Sequence, residues 1–162
     1  MRLVEYLGGL RGRPPTPKKG FYVSEIELAD GIAVGVYNLH MDAGSCDADI
    51  VARRVQTEQL VEEINIRSSG EAVIVAGDTN LKISRPDDMV SFDFLLLETG
   101  LQDACRFLEC GNEIIDRIMF RSSDRVSLTP LSWELPPEFI DAEGKDLSDH
   151  VPVSARFGWE SN

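Results

Sequence analysis

The sequence predicts an α/β fold, a mixed β-sheet with flanking helices in a single domain of 162 residues. Three patterns carry that reading: two strand-like stretches joined by an Asp-Gly turn, two helical stretches separated by a short unbroken apolar run, and several strand-like segments in the last third. A hydrophobic share of 43% with 7% aromatic residues is ordinary globular composition, which excludes a disordered chain or a disulfide miniprotein. No apolar run approaches the roughly 18 residues of a membrane span, and the first twenty residues lack the apolar core of a secretory signal. The expectation is a folded chain with no membrane span, and a cytoplasmic location is favoured unless the true N-terminus is missing.

The elements follow in order. Residues 11–20, RGRPPTPKKG, hold three prolines and four basic residues and predict an extended loop, so residues 1–20 are expected to be poorly ordered. Phe21 to Leu28 reads as a strand, Ala29-Asp30-Gly31 as a turn, and Ile32 to Asn38 as the second arm of a hairpin. Asp49 to Ile66 reads as a helix with Ile50, Thr57, Leu60, Val61 and Ile64 on one side, although Val51 and Val55 fall off that stripe. Asp47 and Asp49 suit its N-terminus, and Ser68-Ser69-Gly70 breaks it. Ala72 to Ala76 is wholly apolar, as in a strand buried on both faces. A second helix is expected over about 87–98, ended by Gly100. Strands are expected at Ile114 to Phe120, around Val126 to Leu135, and at Val151 to Phe157, where Val151, Val153, Ala155 and Phe157 alternate onto one face.

Sixteen basic residues against 28 acidic ones give a net charge of −12. That field repels phosphate backbones and disfavours a general nucleic-acid binder, unless a local patch or a bound cation reverses it. Dense carboxylates are either solvated surface or oxygen ligands for a hard divalent cation. Cys46, Cys105 and Cys110 contain no CxxC pair, and their odd number argues against a disulfide framework or a structural zinc site. Buried or free thiols are the expectation, with one bridge plus one free thiol as the alternative.

Polar residues stand at the ends of the expected strands: His40 after the second, Asp78 and Asn80 after the third, Asp149 and His150 before the last. Strand ends and their loops are where layered folds place binding groups. A lone histidine there is more often a hydrogen-bonded structural residue, and Gly77-Asp78-Thr79-Asn80 alone could be an ordinary turn. Asp116, inside the apolar run Ile114-Ile115-Asp116-Arg117-Ile118, needs a partner if it is buried. Arg117 is a poor one, because adjacent strand residues point to opposite faces, and a histidine from elsewhere fits better.

Taken in order, Asn38-Leu39-His40-Met41-Asp42, Gly77-Asp78-Thr79-Asn80, Ile115-Asp116-Arg117-Ile118 and Ser148-Asp149-His150 resemble the successive motifs of the endonuclease/exonuclease/phosphatase superfamily. The resemblance covers the chain from about Lys19 onward. It implies a four-layered α/β-β/α sandwich and metal-dependent hydrolysis of phosphodiester or phosphoester bonds, with nucleic acid, phospholipid or a small phosphodiester as substrate. His150 is then the catalytic histidine oriented by Asp116, Asp78 activates the water, Asn80 bonds a phosphate oxygen and His40 contacts the phosphate. Asp149 and Asp78 are the implied metal ligands, and Mg2+ is the expected ion, with Mn2+ as the alternative. The phrase His40-Met41-Asp42-Ala43-Gly44 is closer to sphingomyelinase-like and deoxyribonuclease-like members than to abasic-site endonucleases.

The family's early asparagine strand and its Gln-Glu metal-ligand motif have no counterpart before His40. Glu5 and Glu25 lack the expected setting. The chain therefore reads as the C-terminal portion, residues 21–162, of a domain that often runs to about 200–250 residues. A missing N-terminal segment or a partner chain would complete the sheet, and the alternative function is a catalytically impaired fragment that binds such a partner. Missing strands would leave pairing edges exposed. Arg53, Arg54, Arg117, Arg121 and Arg125 could form a local positive rim, though solvated surface charge is the commoner role for such residues.

Overall fold

The structure, a computed structural model, describes residues 2–6, 19–111 and 113–162. The chain order is β1 (Arg2–Glu5), β2 (Gly20–Ala29), β3 (Ile32–His40), α1 (Asp47–Arg67), β4 (Val73–Asp78), α2 (Pro86–Thr99), β5 (Gln102–Asp103), α3 (Ala104–Phe107), β6 (Asp116–Arg121), β7 (Val126–Glu134) and β8 (Ser154–Ser161). Six strands form one mixed sheet in the order β1-β2-β3-β4-β6-β5, and β7 and β8 form a second, antiparallel pair. β3 and β4 run parallel, and α1 makes the crossover between them.

Each face of the six-stranded sheet has its own core. On one, Phe21, Tyr37, Leu39, Val73, Val75 and Met119 meet Leu60, Val61 and Ile64 of α1 and Phe92 and Leu95 of α2. On the other, Val34, Ala72 and Phe120 meet Val126 and Leu128 of β7, with Trp133 and Phe157 packed alongside. The uneven apolar stripe of α1 has a local cause. Arg53 and Gln56 occupy its core-facing side together with Thr57 and Leu60, while Val51 is half exposed. α2 starts with Pro86 at its first turn and ends on Gly100 at φ 69°, a left-handed conformation that glycine adopts without strain.

Three sequence expectations need correction. Arg2–Glu5 is anchored as an edge strand on β2, because its backbone pairs in register from Arg2↔Val23 to Glu5↔Gly20; residues 7–18 of the expected loop lie outside the described residues. The last strand begins at Ser154, since Pro152 has no N–H to give a ladder, and Val151 of the alternating set is exposed while Val153, Ala155 and Phe157 are half-buried. Cys105 and Cys110 form a disulfide and Cys46 is free and exposed, so the one-bridge alternative holds over three thiols. The described residues form the α1/α2 pair, the six-stranded sheet and β7–β8. The β7–β8 pair covers only part of the larger sheet, and Leu3, Tyr22 and Ile26 are exposed on the uncovered part.

Candidate active site

One rung of the large sheet carries the site. His40 is the last residue of β3, Asp78 the last of β4 and Asp116 the first of β6, and the register pairs His40 with Asp78 and Asp78 with Asp116. Residues paired directly across adjacent strands present their side chains to the same face at about the 4.8 Å strand spacing. Three ionisable groups are therefore brought together by backbone pairing alone. His150 joins them from the loop before β8. Its Nδ1 lies 2.8 Å from Asp116 Oδ2, its Nε2 lies 4.0 Å from Asp78 Oδ2, and its backbone N–H donates to Ser148 Oγ at 3.0 Å.

Asp78 is held from several sides. Its Oδ1 accepts from the Asn80 backbone N–H at 2.8 Å and its Oδ2 from Asn80 Nδ2 at 2.9 Å, while its carbonyl accepts from Met41 N–H at 2.9 Å. Asn80 takes a left-handed φ of 52°, which asparagine tolerates better than most residues. Its second amide proton goes to Met41 O at 3.2 Å, so both side-chain protons are committed and its observed contacts fix Asp78 and not an external oxygen. Buried Thr79 ties the same turn to the residue before β6 by donating to Ile115 O from both N–H and Oγ1.

The two histidines are tuned in opposite directions. The hydrogen bond to Asp116 raises the His150 pKa above the ordinary 6.5 against a smaller burial effect, and the charges of Asp116, Asp78 and Asp149 add to the rise. Burial lowers the His40 pKa, the Lys19 ammonium lowers it further, and Asp78 works against both. Lys19 Nζ contacts His40 Nε2, and an ammonium can only donate, so the ring accepts there; Asp78 Oδ2 lies 3.2 Å from the same nitrogen, a distance that makes an ion pair only when His40 is protonated. Near neutral pH the rung thus holds one histidine biased toward the cation and one biased toward the neutral form.

Asp78, Asp116 and His150 offer ligand atoms within 4.8 Å of one another. Two carboxylates are a donor set that a hard divalent cation accepts, with water completing its shell. Asp149 lies outside that cluster on the exposed loop, close enough for its charge to reach His150. A cleft of about 630 Å³ opens beside the rung, with Asn38, Ala76, Leu135, Phe139, Asp149 and His150 among its walls.

Lys19 is the site residue that sequence reasoning passed over. Gly20 pairs with His40 across the hairpin, so counting back from the Asp-Gly turn puts Lys19 one step beyond the histidine. The positive rim is not formed. Arg53 and Arg117 are buried: Arg53 pairs with Asp88, and Arg117 with Asp103 at 3.2 Å and Glu113 at 3.3 Å while its guanidinium stacks 4.1 Å from the Phe92 ring centre. Arg121 serves the carbonyls of Ser68, Glu71 and Thr99 at the helix ends, and Arg125 that of Gly31. Asp116 and Arg117 point to opposite faces and do not pair with each other.

No family model matches the chain. Over 155 aligned residues it is 32% identical to sphingomyelinases of Mycobacterium tuberculosis and Mycobacterium bovis, an alignment that covers 86% of this chain and 30% of those proteins. The chain thus spans under a third of the curated relatives it matches. Among solved structures it is similar to D. rerio TDP2 complexed with a single-strand DNA product, with a TM-score of 0.64 at 19% identity over 86% of this chain and 62% of that one. It is also similar to an endonuclease/exonuclease/phosphatase protein of Beutenbergia cavernae, with a TM-score of 0.60 at 13% identity over 84% and 38%.

Proposed function

We propose that this chain is a member of the endonuclease/exonuclease/phosphatase superfamily and carries the aspartate–histidine side of a metal-dependent phosphodiesterase active site. The observation that supports this most directly is the single rung of His40, Asp78 and Asp116 with His150 hydrogen-bonded to its end. Hydrolysis of a phosphodiester needs a water made nucleophilic, an anionic phosphate held in its path, and charge stabilised on the phosphoryl oxygens.

The proposed roles follow from position. Asp78, fixed by Asn80 and Met41, orients the attacking water and accepts its proton. His150, its Nδ1 proton held by Asp116, presents Nε2 as a cationic donor to a phosphoryl oxygen. His40 stands on the other side of Asp78 to contact the phosphate, with the positive charge of Lys19 beside it. Asn80 acts first through Asp78, and its contact with a phosphate oxygen would require one of its two present acceptors to be released. A bound Mg2+, or Mn2+, would be held through Asp78 with Asp116 and Asp149 nearby, and it supplies Lewis-acid stabilisation of phosphoryl charge.

The net charge of −12 and the likeness to sphingomyelinases favour a phospholipid-type or small phosphodiester over duplex nucleic acid. A second reading, a fragment that binds or completes a partner chain, draws on the uncovered apolar face at Leu3, Tyr22 and Ile26 and on the narrow β7–β8 sheet. Hydrolysis of bis(p-nitrophenyl) phosphate, measured with magnesium and after chelation for the wild type, Asp78→Ala and His150→Ala, separates the two. Magnesium-stimulated turnover lost in both variants supports the phosphodiesterase. Absence of stimulation, or a rate unchanged by both substitutions, removes it and leaves the partner-binding reading.

A further inference from the structure

β3 and β4 fix the positions of His40 and Asp78, but each strand runs directly into a loop, 41–46 after His40 and 79–85 after Asp78, that no ladder holds. The two loops meet at a buried ion pair between the helices that follow them. Arg53 of α1 has no solvent exposure; its Nε and Nη2 donate to Asp88 Oδ1 at 3.0 and 2.9 Å, and its Nη1 donates to the carbonyls of Asp42 and Gly44 at 3.2 and 3.1 Å. Asp88 of α2 is equally buried, and its Oδ2 accepts from Lys82 N–H at 3.1 Å and from Arg85 Nη1 at 2.6 Å. The guanidinium thus grips the first loop, the carboxylate grips the second, and the pair joins them.

Stability alone gives a weak reason for such an arrangement, because a buried ion pair is often replaceable by apolar residues without loss. Its position gives a stronger one. Residues 42–44, held by Arg53 and by Gln56 Oε1 on Asp42 N–H at 2.8 Å, follow directly on Met41. Met41 O takes one amide proton of Asn80, whose other proton holds Asp78 Oδ2. We propose that the Arg53–Asp88 pair is a positioning clamp that sets the carboxylate of Asp78 relative to His40 through Met41 and Asn80. The proposal rests on the phosphodiesterase reading only for its catalytic consequence; the geometric link stands on the hydrogen bonds.

The test compares the wild type with the double variant Arg53→Met/Asp88→Leu, which keeps volume but cannot bond either loop. It should fold with a lowered thermal midpoint, because the Asp42 and Gly44 carbonyls and the Lys82 N–H lose their partners. Below that transition kcat for bis(p-nitrophenyl) phosphate should fall about 10- to 100-fold at little changed KM, the cost of a misplaced group. Hydrogen exchange at Met41 N–H, the amide that bonds Asp78 O, should rise by more than about tenfold as the loops loosen. A kcat within about twofold of the wild type together with unchanged exchange at Met41 overturns the clamp. If wild-type turnover proves independent of Asp78, the functional reading fails by itself and Met41 exchange alone decides the clamp. Should the double variant not fold, Arg53→Lys keeps the charge but cannot serve Asp88 and both carbonyls together. It should show the same effects in weaker form, and wild-type kcat and exchange in Arg53→Lys would overturn the clamp equally.

Discussion

Gly77→Ala should loosen the rung from beneath while touching no ionisable group. Gly77 precedes Asp78 on β4 and pairs with Leu39 on β3, and it adopts a φ of 135° that L-residues rarely take. An added Cβ would lie 2.0 Å from Leu39 O, a backbone atom that yields only if β3 and β4 separate. Backbone strain at such a φ costs about 1–3 kcal/mol. Forcing a methyl group into a packed interior adds about 1–3 kcal/mol. A loss near 4 kcal/mol, on the order of the middle of that combined range, lowers the thermal midpoint of a chain this size by roughly 8–16 °C. Because the separation falls between His40 and Asp78, turnover should drop in the folded protein as well. Calorimetry and phosphodiesterase assays below the transition measure both. A midpoint within about 2 °C of the wild type would refute the steric argument.

Two further predictions concern charge. Asp116→Asn removes the negative charge that strengthens the bond to His150 and raises its pKa, so NMR titration should find that pKa lowered, and the alkaline limb of any activity needing cationic His150 should move to lower pH. The same sign governs stability: a raised histidine pKa stabilises the fold fully below the ordinary 6.5 and loses that contribution as pH rises through the raised value, so Asp116→Asn should destabilise the protein at acidic pH more than at pH well above it. Lys19→Met removes a cation from His40, so the His40 pKa should rise; an unchanged His40 titration would place Lys19 away from the site in solution.

Much of the architecture was legible because it rests on local signals. Val73–Ala76 of β4 is an unbroken apolar run, the β2–β3 turn is Asp-Gly, and α2 has Pro at its start and Gly at its end. The rung was half legible. Strand-end His40 and Asp78 stood out by position, whereas the Asp116–His150 pair, 34 residues apart, followed only from the family resemblance, because its contact depends on a loop path that no periodicity encodes. The buried arginines were read as surface charge because their partners are also remote, 35 residues from Arg53 to Asp88 and 14 from Arg117 to Asp103. Burial of a charge is a property of the pair, and composition sees only the single residue. The false start of the last strand came from Val151-Pro152-Val153, where apolar alternation imitates a strand while Pro152 lacks the N–H to join one.

The central chemical claim is that water, directed by Asp78, attacks phosphorus at this rung. Hydrolysis of an alkyl phosphodiester in heavy-oxygen water with magnesium, followed by mass spectrometry of both products, tests it most directly. The account predicts one labelled oxygen in the phosphoryl product, none in the alcohol, and loss of labelled product in Asp78→Ala. Label in the alcohol, or labelled phosphoryl product formed equally well by Asp78→Ala, would contradict it.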